Sequence, residues 1–361
     1  MSVRPQPRGD LRGLEGYHSP QLEVDVRLNT NESPYAPPTG FVERYSEALT
    51  RVAYNRYPDR GAAELRDRLG RFLGQPPERL LCANGSNEVL QTLLLTYGGP
   101  GRSALLFEPT YVLHGHIARL TGTAVVTGAR RPDFGIAPDD AAALVLETRP
   151  TVVFVCSPNN PTGTVEERDT VEALADAAAD AGALLVVDEA YGEFAPWSAI
   201  ELVDEARPLV VVRTYSKVWS LAAVRLGFAV GPAWVVAELE KVILPYALSV
   251  PTQLAGTIAL EFEREMRVRV AALVEERGRL FAALTRRDGL TVYPSGANFL
   301  LLRVAGDAHA LWRKLLDEGV LVRDFSRWPG VEQCLRVTVG TPEENDAFLA
   351  ALDAALPEVI T

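Results

Sequence analysis

Residues 209–217 read Leu-Val-Val-Val-Arg-Thr-Tyr-Ser-Lys. The run Leu209–Arg213 is apolar and does not alternate, which suits a strand buried on both faces of a parallel sheet. Lys217 falls just past the carboxyl end of that strand, on the edge of such a sheet where ligands bind. A lone lysine there is more often a solvated surface residue, so its weight depends on what neighbouring strands bring to the same edge.

Runs of the same kind occupy Ser103–Phe107, Ala124–Thr127, Thr151–Cys156, Ala183–Asp188 and Leu226–Val230. Helical patterns lie between them, at Asn87–Tyr97 behind a Gly85-Ser86 start signal and at Glu166–Ala181. Strands alternating with helices predict a layered α/β fold. Residues 1–35, broken by Pro5, Pro7, Gly9, Gly13, Gly16 and Pro20, read as an irregular N-terminal arm. Residues 36–250 read as the large domain. Residues 251–361 read as a linking helix, roughly Thr252–Asp288, and a smaller C-terminal α+β domain. In that domain Asn298–Val304 and Leu335–Val339 are the expected strands, and Ala308–Glu318 and Glu343–Leu356 the expected helices.

The chain has 361 residues and a formal net charge of −11, which argues against a nucleic-acid or anionic-membrane surface. Its three cysteines, Cys82, Cys156 and Cys334, are far apart with no CxxC spacing. Neither a disulfide framework nor a metal site is indicated, and small buried hydrophobes is the better reading. The first twenty residues have no apolar core of the kind a signal peptide carries, and no run is long enough to span a membrane. A cytoplasmic location is the expectation.

The neighbouring strand ends carry complementary chemistry. Ala183–Asp188 ends in a carboxylate that is costly to bury without a cationic partner, and a protonated pyridine nitrogen would be one. Tyr191 follows three residues on, within reach of a ring hydroxyl. Thr151–Cys156 runs into Ser157-Pro158-Asn159-Asn160-Pro161-Thr162-Gly163, either a plain turn or a rigid amide platform over the sheet edge. Gly85-Ser86-Asn87-Glu88 opens a helix, which is an ordinary N-cap or a cradle for an anion. Arg225, eight residues after Lys217, offers a guanidinium fork for a phosphate. No GxGxxG fingerprint or P-loop is present. An amine, a strand-end carboxylate, a phenol, an amide turn and a phosphate cradle form the set that a pyridine aldehyde phosphate needs.

In these stretches the sequence resembles the class I/II aminotransferases of pyridoxal-phosphate fold-type I, and within them the histidinol-phosphate aminotransferase branch. Further stretches carry the likeness: Leu28-Asn29-Thr30-Asn31-Glu32-Ser33-Pro34-Tyr35, Arg56-Tyr57-Pro58-Asp59, Arg225-Leu226-Gly227 and Leu335-Arg336-Val337-Thr338-Val339-Gly340-Thr341. Ser33, Asn87 and Tyr215 depart from the branch's usual residues.

The resemblance implies a large domain built on a mostly parallel seven-stranded sheet. It implies pyridoxal 5'-phosphate held by Lys217 as a Schiff base, with Lys217 also shuttling the substrate α-proton. Asp188 would pair with the pyridine nitrogen, Tyr191 and Asn160 with the ring oxygen, and Tyr111 would stack on the ring. Ser86, Asn87, Thr214, Ser216 and Arg225 would surround the phosphate. Tyr57 would reach the phosphate of a neighbouring subunit, implying a homodimer with shared sites. Arg336 would bind the substrate's anionic group, with Arg323, Tyr17 and Asn31 close by.

The expected reaction is ping-pong amino transfer between L-histidinol phosphate and 2-oxoglutarate. Alternatives are an aromatic amino acid aminotransferase, a lyase or decarboxylase acting on a phosphorylated amino acid, and a regulator without turnover. The last is disfavoured by an arm too short for a DNA-binding module.

Overall fold

The computed structural model describes residues 4–6, 8–11, 13–14, 16 and 21–360. Seven strands form the larger sheet: β2 (Leu80–Ala83), β3 (Ser103–Glu108), β4 (Ala124–Ala129), β5 (Val152–Cys156), β6 (Leu184–Asp188), β7 (Leu209–Thr214) and β8 (Gly227–Val230). Their spatial order is β2-β8-β7-β6-β5-β3-β4. β8 runs antiparallel to both neighbours and the other pairings are parallel, so the expected mostly parallel seven-stranded sheet is found.

The non-alternating apolar pattern has a direct structural meaning. Leu105, Val153, Val155, Leu185, Val187 and Val211 face one core. Their sequence neighbours Leu106, Val152, Phe154, Leu184, Val186, Val210 and Val212 face another. Successive side chains of a strand point to opposite faces, so a strand with helices on both sides must be apolar throughout. The helices before and within this sheet are α1 (Thr39–Leu49), α2 (Ala63–Leu73), α3 (Ser86–Tyr97), α4 (Val112–Leu120), α5 (Pro138–Thr148), α6 (Arg168–Ala181) and α7 (Ala233–Leu239).

The linking segment is two helices, not one: α8 (Val250–Ala259) and α9 (Glu263–Thr285), separated by a 3-10 turn at Leu260–Phe262. Neither proline nor glycine marks the break. Phe262 leaves helical geometry at φ −106° and ψ 26°, and its ring meets Phe41 edge-on at 6.2 Å. A tertiary contact therefore overrides a locally continuous helical pattern.

The smaller sheet has the order β1-β11-β12-β10-β9. Its strands are β1 (Val26–Leu28), β9 (Leu290–Val292), β10 (Phe299–Val304), β11 (Val320–Asp324) and β12 (Cys334–Thr338), accompanied by α10 (Ala308–Asp317) and α11 (Pro342–Ala355). β1 lies within the stretch read as an irregular arm, and it pairs in parallel with β11. The arm is thus threaded into the sheet of the C-terminal region, and its next residues, Asn29–Asn31, are delivered to the edge of the larger sheet.

Candidate active site

A cavity of about 390 Å³ opens over the carboxyl ends of β5, β6 and β7. It gathers Lys217, Asp188, Tyr191, Asn160, Tyr111, Ser86, Asn87, Thr214, Ser216, Arg225, Arg336 and Asn31, residues spread over more than three hundred positions of sequence. The register aligns these ends: Cys156 pairs with Asp188, and Asp188 with Val212. Parallel strands in register present their last residues side by side, and this is what brings the groups together.

One end of the cavity is built for an anion. α3 starts at Ser86 with no side-chain cap, so its first N–H groups have no intrahelical acceptor. Arg225 stands over this terminus, because a Cβ on Gly85 would come within 2.7 Å of Arg225 Nη2. A Cβ on Gly227 would fall 2.2 Å from the Ser86 backbone nitrogen. Glycine at both positions lets β8 and the guanidinium close on the helix start. Arg225 Nη1 donates to Ser216 Oγ at 3.4 Å, and Thr214 Oγ1 donates to the same oxygen at 3.0 Å. Helix N–H groups, hydroxyls and a guanidinium match a phosphate's acceptor oxygens.

At the other end Asp188 is 1 % exposed. Its Oδ1 accepts the Ala190 N–H at 3.0 Å, and its Oδ2 lies 2.8 Å from His114 Nε2. The carboxylate therefore has a protein partner, which qualifies the inference that only a ligand's cation would make its burial tolerable. Each carboxylate oxygen has two lone-pair sites, and room remains for a ring N–H. His114 was not singled out in the sequence. It is fully buried on α4, stacked on Phe154 at 4.8 Å and edge-on to Tyr111 at 5.4 Å. The available signal was its place one helical turn after Tyr111.

The two asparagines of the Pro158–Pro161 turn divide the work. Asn159 is spent on the loop, donating to the Pro109 carbonyl at 3.0 Å and to Thr162 Oγ1 at 2.8 Å. Asn160 faces the cavity, and its Oδ1 accepts from Arg336 Nη1 at 2.5 Å. With that oxygen engaged, the Asn160 amide N–H groups are left as donors toward the pocket.

Lys217 Nζ donates to the Thr30 carbonyl at 2.9 Å and lies 5.7 Å from the centre of the Tyr191 ring. Burial first, and then the positive charges of Arg336 and Arg225, push its amine down to about 8, against the opposite pull of Glu32. At pH 7.5 the neutral, nucleophilic fraction rises from about 0.1 % to roughly a quarter. Tyr191 is the converse: burial pushes its phenol up to about 12, so at neutral pH it keeps its proton and can donate.

Arg336 is held between two rings, 5.1 Å from the centre of Phe299 and 5.4 Å from that of Phe325, and it also donates to the Asn29 carbonyl at 2.8 Å. Arg323 lines an adjoining smaller cavity with Phe325 and Trp328, which Tyr111, Asn160 and Arg336 border as well. Tyr57 does not enter the cavity of its own chain. It is 81 % exposed and stacked on Tyr246 at 4.6 Å. Tyr17 lies outside the described residues. The three cysteines are free and buried, as expected of small hydrophobes.

The model of the family "Aminotransferase class I and II" matches residues 23–352. A histidinol-phosphate aminotransferase of Streptomyces avermitilis is 48 % identical over 355 residues, covering 96 % of this chain and 95 % of the relative. One from Mycobacterium avium is 46 % identical over 354 residues, covering 95 % and 87 %. Among solved structures, the histidinol-phosphate aminotransferase of Sinorhizobium meliloti in complex with pyridoxal-5'-phosphate superposes with a TM-score of 0.90 at 23 % identity, covering 99 % of both chains. With a family match running almost from end to end, and a strand-edge pocket joining a lysine, a buried carboxylate and an anion cradle, this chain belongs to the class I and II aminotransferases.

Proposed function

We propose that this protein is a pyridoxal-phosphate aminotransferase that moves the amino group between L-histidinol phosphate and 2-oxoglutarate, a step of histidine biosynthesis, in the cytoplasm. For the substrate, support comes from the 48 % identity, over 96 % of the chain, to a relative bearing that name. For the cofactor, one observation carries the reading: a part-buried lysine, a buried carboxylate and a glycine-permitted anion cradle share one cavity.

When bound, pyridoxal phosphate supplies an electron sink and a carrier for the amino group. Lys217 would hold it covalently, Asp188 would face the ring nitrogen, and Asn160 and Tyr191 would donate to the ring oxygen. Tyr111 would cover the ring face, and Ser86, Asn87, Thr214, Ser216 and Arg225 would hold the phosphate. Lys217 Nζ would also serve as the base for the substrate α-carbon proton, a task suited to an amine lowered toward neutrality. Arg336 binds the anionic group of either substrate, with Arg323 beside it and Asn31 nearby.

Tyr57, Tyr246, Tyr54 and Leu244 are all exposed. This apolar surface supports a homodimer in which Tyr57 completes the partner's phosphate site. Mixing Lys217→Ala and Tyr57→Ala protomers tests it: shared sites restore part of the activity in hybrids, and separate sites restore none.

The aromatic wall of Phe325 and Trp328 favours a second reading, an aromatic amino acid as donor. Titrating the absorbance of the lysine-bound cofactor with L-histidinol phosphate and with L-phenylalanine separates the two. Depletion at low histidinol phosphate, with little response to phenylalanine, is expected. A response to phenylalanine alone would move the enzyme to the aromatic substrates. A bound chromophore that answers neither would reject both.

A further inference from the structure

The short segment after β1 touches three residues of the site. The Asn29 carbonyl accepts from Arg336, the Thr30 carbonyl accepts from Lys217, and the Asn31 side chain donates to the Tyr191 hydroxyl oxygen at 2.9 Å. Asn31 is distinctive among them because its amide can be oriented by following the hydrogens. Its backbone N–H donates to Thr338 Oγ1 at 3.0 Å. That hydroxyl, having accepted, donates its own hydrogen to Asn31 Oδ1, also at 3.0 Å. With the amide oxygen so occupied, Nδ2 is the end that faces the phenol.

The geometry around this chain is built rather than incidental. Asn31 and Thr338 are 1 % and 3 % exposed. Asn31 sits in the left-handed region at φ 55°, where asparagine is better tolerated than most residues. Its carbonyl is tied by Asn298 Nδ2 at 3.1 Å. The phenol cannot easily swing away, since Phe299 meets its ring edge-on at 5.0 Å.

We infer that Asn31 is a positioning residue for Tyr191: by donating to the phenol oxygen it turns the phenol's own hydrogen toward the ring oxygen of the cofactor. This rests on the cofactor reading above. A phenol that receives a hydrogen bond is also a stronger donor, since the two bonds polarise each other. Asn31 and Asn160 then play matching parts. Asn160 has its oxygen occupied by Arg336 and is left to donate directly, while Tyr191 has its oxygen occupied by Asn31 and donates in the same direction. The segment that brings Asn31 is anchored by β1 in the smaller sheet and Thr338 closes β12, so the smaller sheet sets the donor polarity at the ring oxygen. The titratable groups around the phenol are Lys217, Arg336, Asp188 and Cys156; Asn31→Ala and Thr338→Val leave that set as it is, and Asn31→Asp adds one carboxylate to it.

The test is a pH titration of the lysine-bound chromophore in the holoenzyme, for wild type, Asn31→Asp, Asn31→Ala and Thr338→Val. An aspartate would accept the phenol hydrogen and turn it from the ring oxygen. Loss of that donor disfavours the oxyanion, so the Asn31→Asp midpoint should rise by about 1 pH unit or more. Asn31→Ala should move the same way by less, and Thr338→Val, nearly isosteric, by least. In a Tyr191→Phe background Asn31→Ala, which brings no charge, should add little, and Asn31→Asp should keep only the direct pull of its carboxylate on the lysine. An unmoved midpoint, or a shift just as large in the Tyr191→Phe background, overturns the proposal. A second arm uses cofactor-free protein carrying ¹³Cζ-tyrosine. The Tyr191 resonance, identified by its loss in Tyr191→Phe, should move in Asn31→Asp and in Thr338→Val, and a fixed resonance overturns the proposal whether or not the cofactor reading holds. Failure of the cofactor reading itself has a different sign, a wild-type protein with no lysine-borne chromophore.

Discussion

Two clusters of charge lie a residue or a few apart at the same strand ends, and they are built in opposite ways. Glu189 follows Asp188, and Arg213 precedes Lys217 by four positions. Glu189 Oε2 accepts from Arg213 Nε at 3.0 Å, Arg213 Nη2 at 2.8 Å and Ser198 Oγ at 2.8 Å, and its Oε1 accepts the Ala199 N–H at 2.6 Å. Glu193 reaches the far side of the guanidinium at 3.4 Å. In this cluster the Arg213 guanidinium has its carboxylate partners built into the protein. In the cavity above it, Lys217 has one backbone carbonyl, Arg225 and Arg336 are further cations, and the shared space is open. Burial tolerates charge when the partner is built in, as at Glu189, and leaves chemistry available when the partner is left for a ligand. The first arrangement holds the ends of β6 and β7 in place, and the second uses what that rigidity positions.

The contrast can be broken most sharply at Lys217. Lys217→Ala should cut amino transfer by at least about 10⁴-fold and abolish the cofactor adduct that borohydride traps, without loss of folding. An adduct surviving on another residue would overturn the assignment. Next comes Glu189→Ala, which removes the nearer of Arg213's two carboxylate partners and should lower unfolding stability by about 3 kcal/mol in denaturant titrations. A variant as stable as wild type would show that the buried pair is not what holds the strand ends.

Third, the cofactor-free protein should gain stability with rising pH because of Lys217. The unfolded lysine keeps its proton up to 10.5, whereas the folded one gives it up at about 8. The unfolded state therefore binds more protons between those values. Stability should climb by about 3 kcal/mol across this window from this residue alone, a rise that Lys217→Met should remove when the two curves are subtracted. Parallel curves would mean that water reaches the amine freely. Last, Arg336→Ala should raise the apparent KM for the anionic substrates by about 100-fold while cofactor retention changes little. Equal loss of both would make Arg336 structural.

Much of the site was legible because strand ends are legible. Lys217, Asp188 and Asn160 each follow an apolar run, and a parallel sheet brings such positions to one edge. Ser86, Asn87 and Arg225 were readable as an anion cradle from the helix start and the guanidinium. His114 was not, since its one local sign, a place one helical turn after Tyr111, does not say which buried group its ring meets. The strands β1, β2, β9 and β11 were also missed. They are only three to five residues long, and β1, in a stretch punctuated by proline and glycine, is specified by a partner far away in sequence, with Val26 opposite Val320. The break at Phe262 escaped for the same kind of reason, because its cause is Phe41.

By itself the sequence determined the layered α/β architecture and the strand-end groups of the pocket, because strand burial and strand-end placement are written in local periodicity; Tyr111, Asn31 and Arg336 were placed there only by the family resemblance. Only the tertiary structure decided how these groups are wired: that Asp188 leans on His114, that Arg336 occupies the Asn160 oxygen, and that Thr338 turns the Asn31 amide toward Tyr191. Each of these is a directional hydrogen bond between residues dozens to hundreds of positions apart, and direction is a property of packed coordinates rather than of residue type.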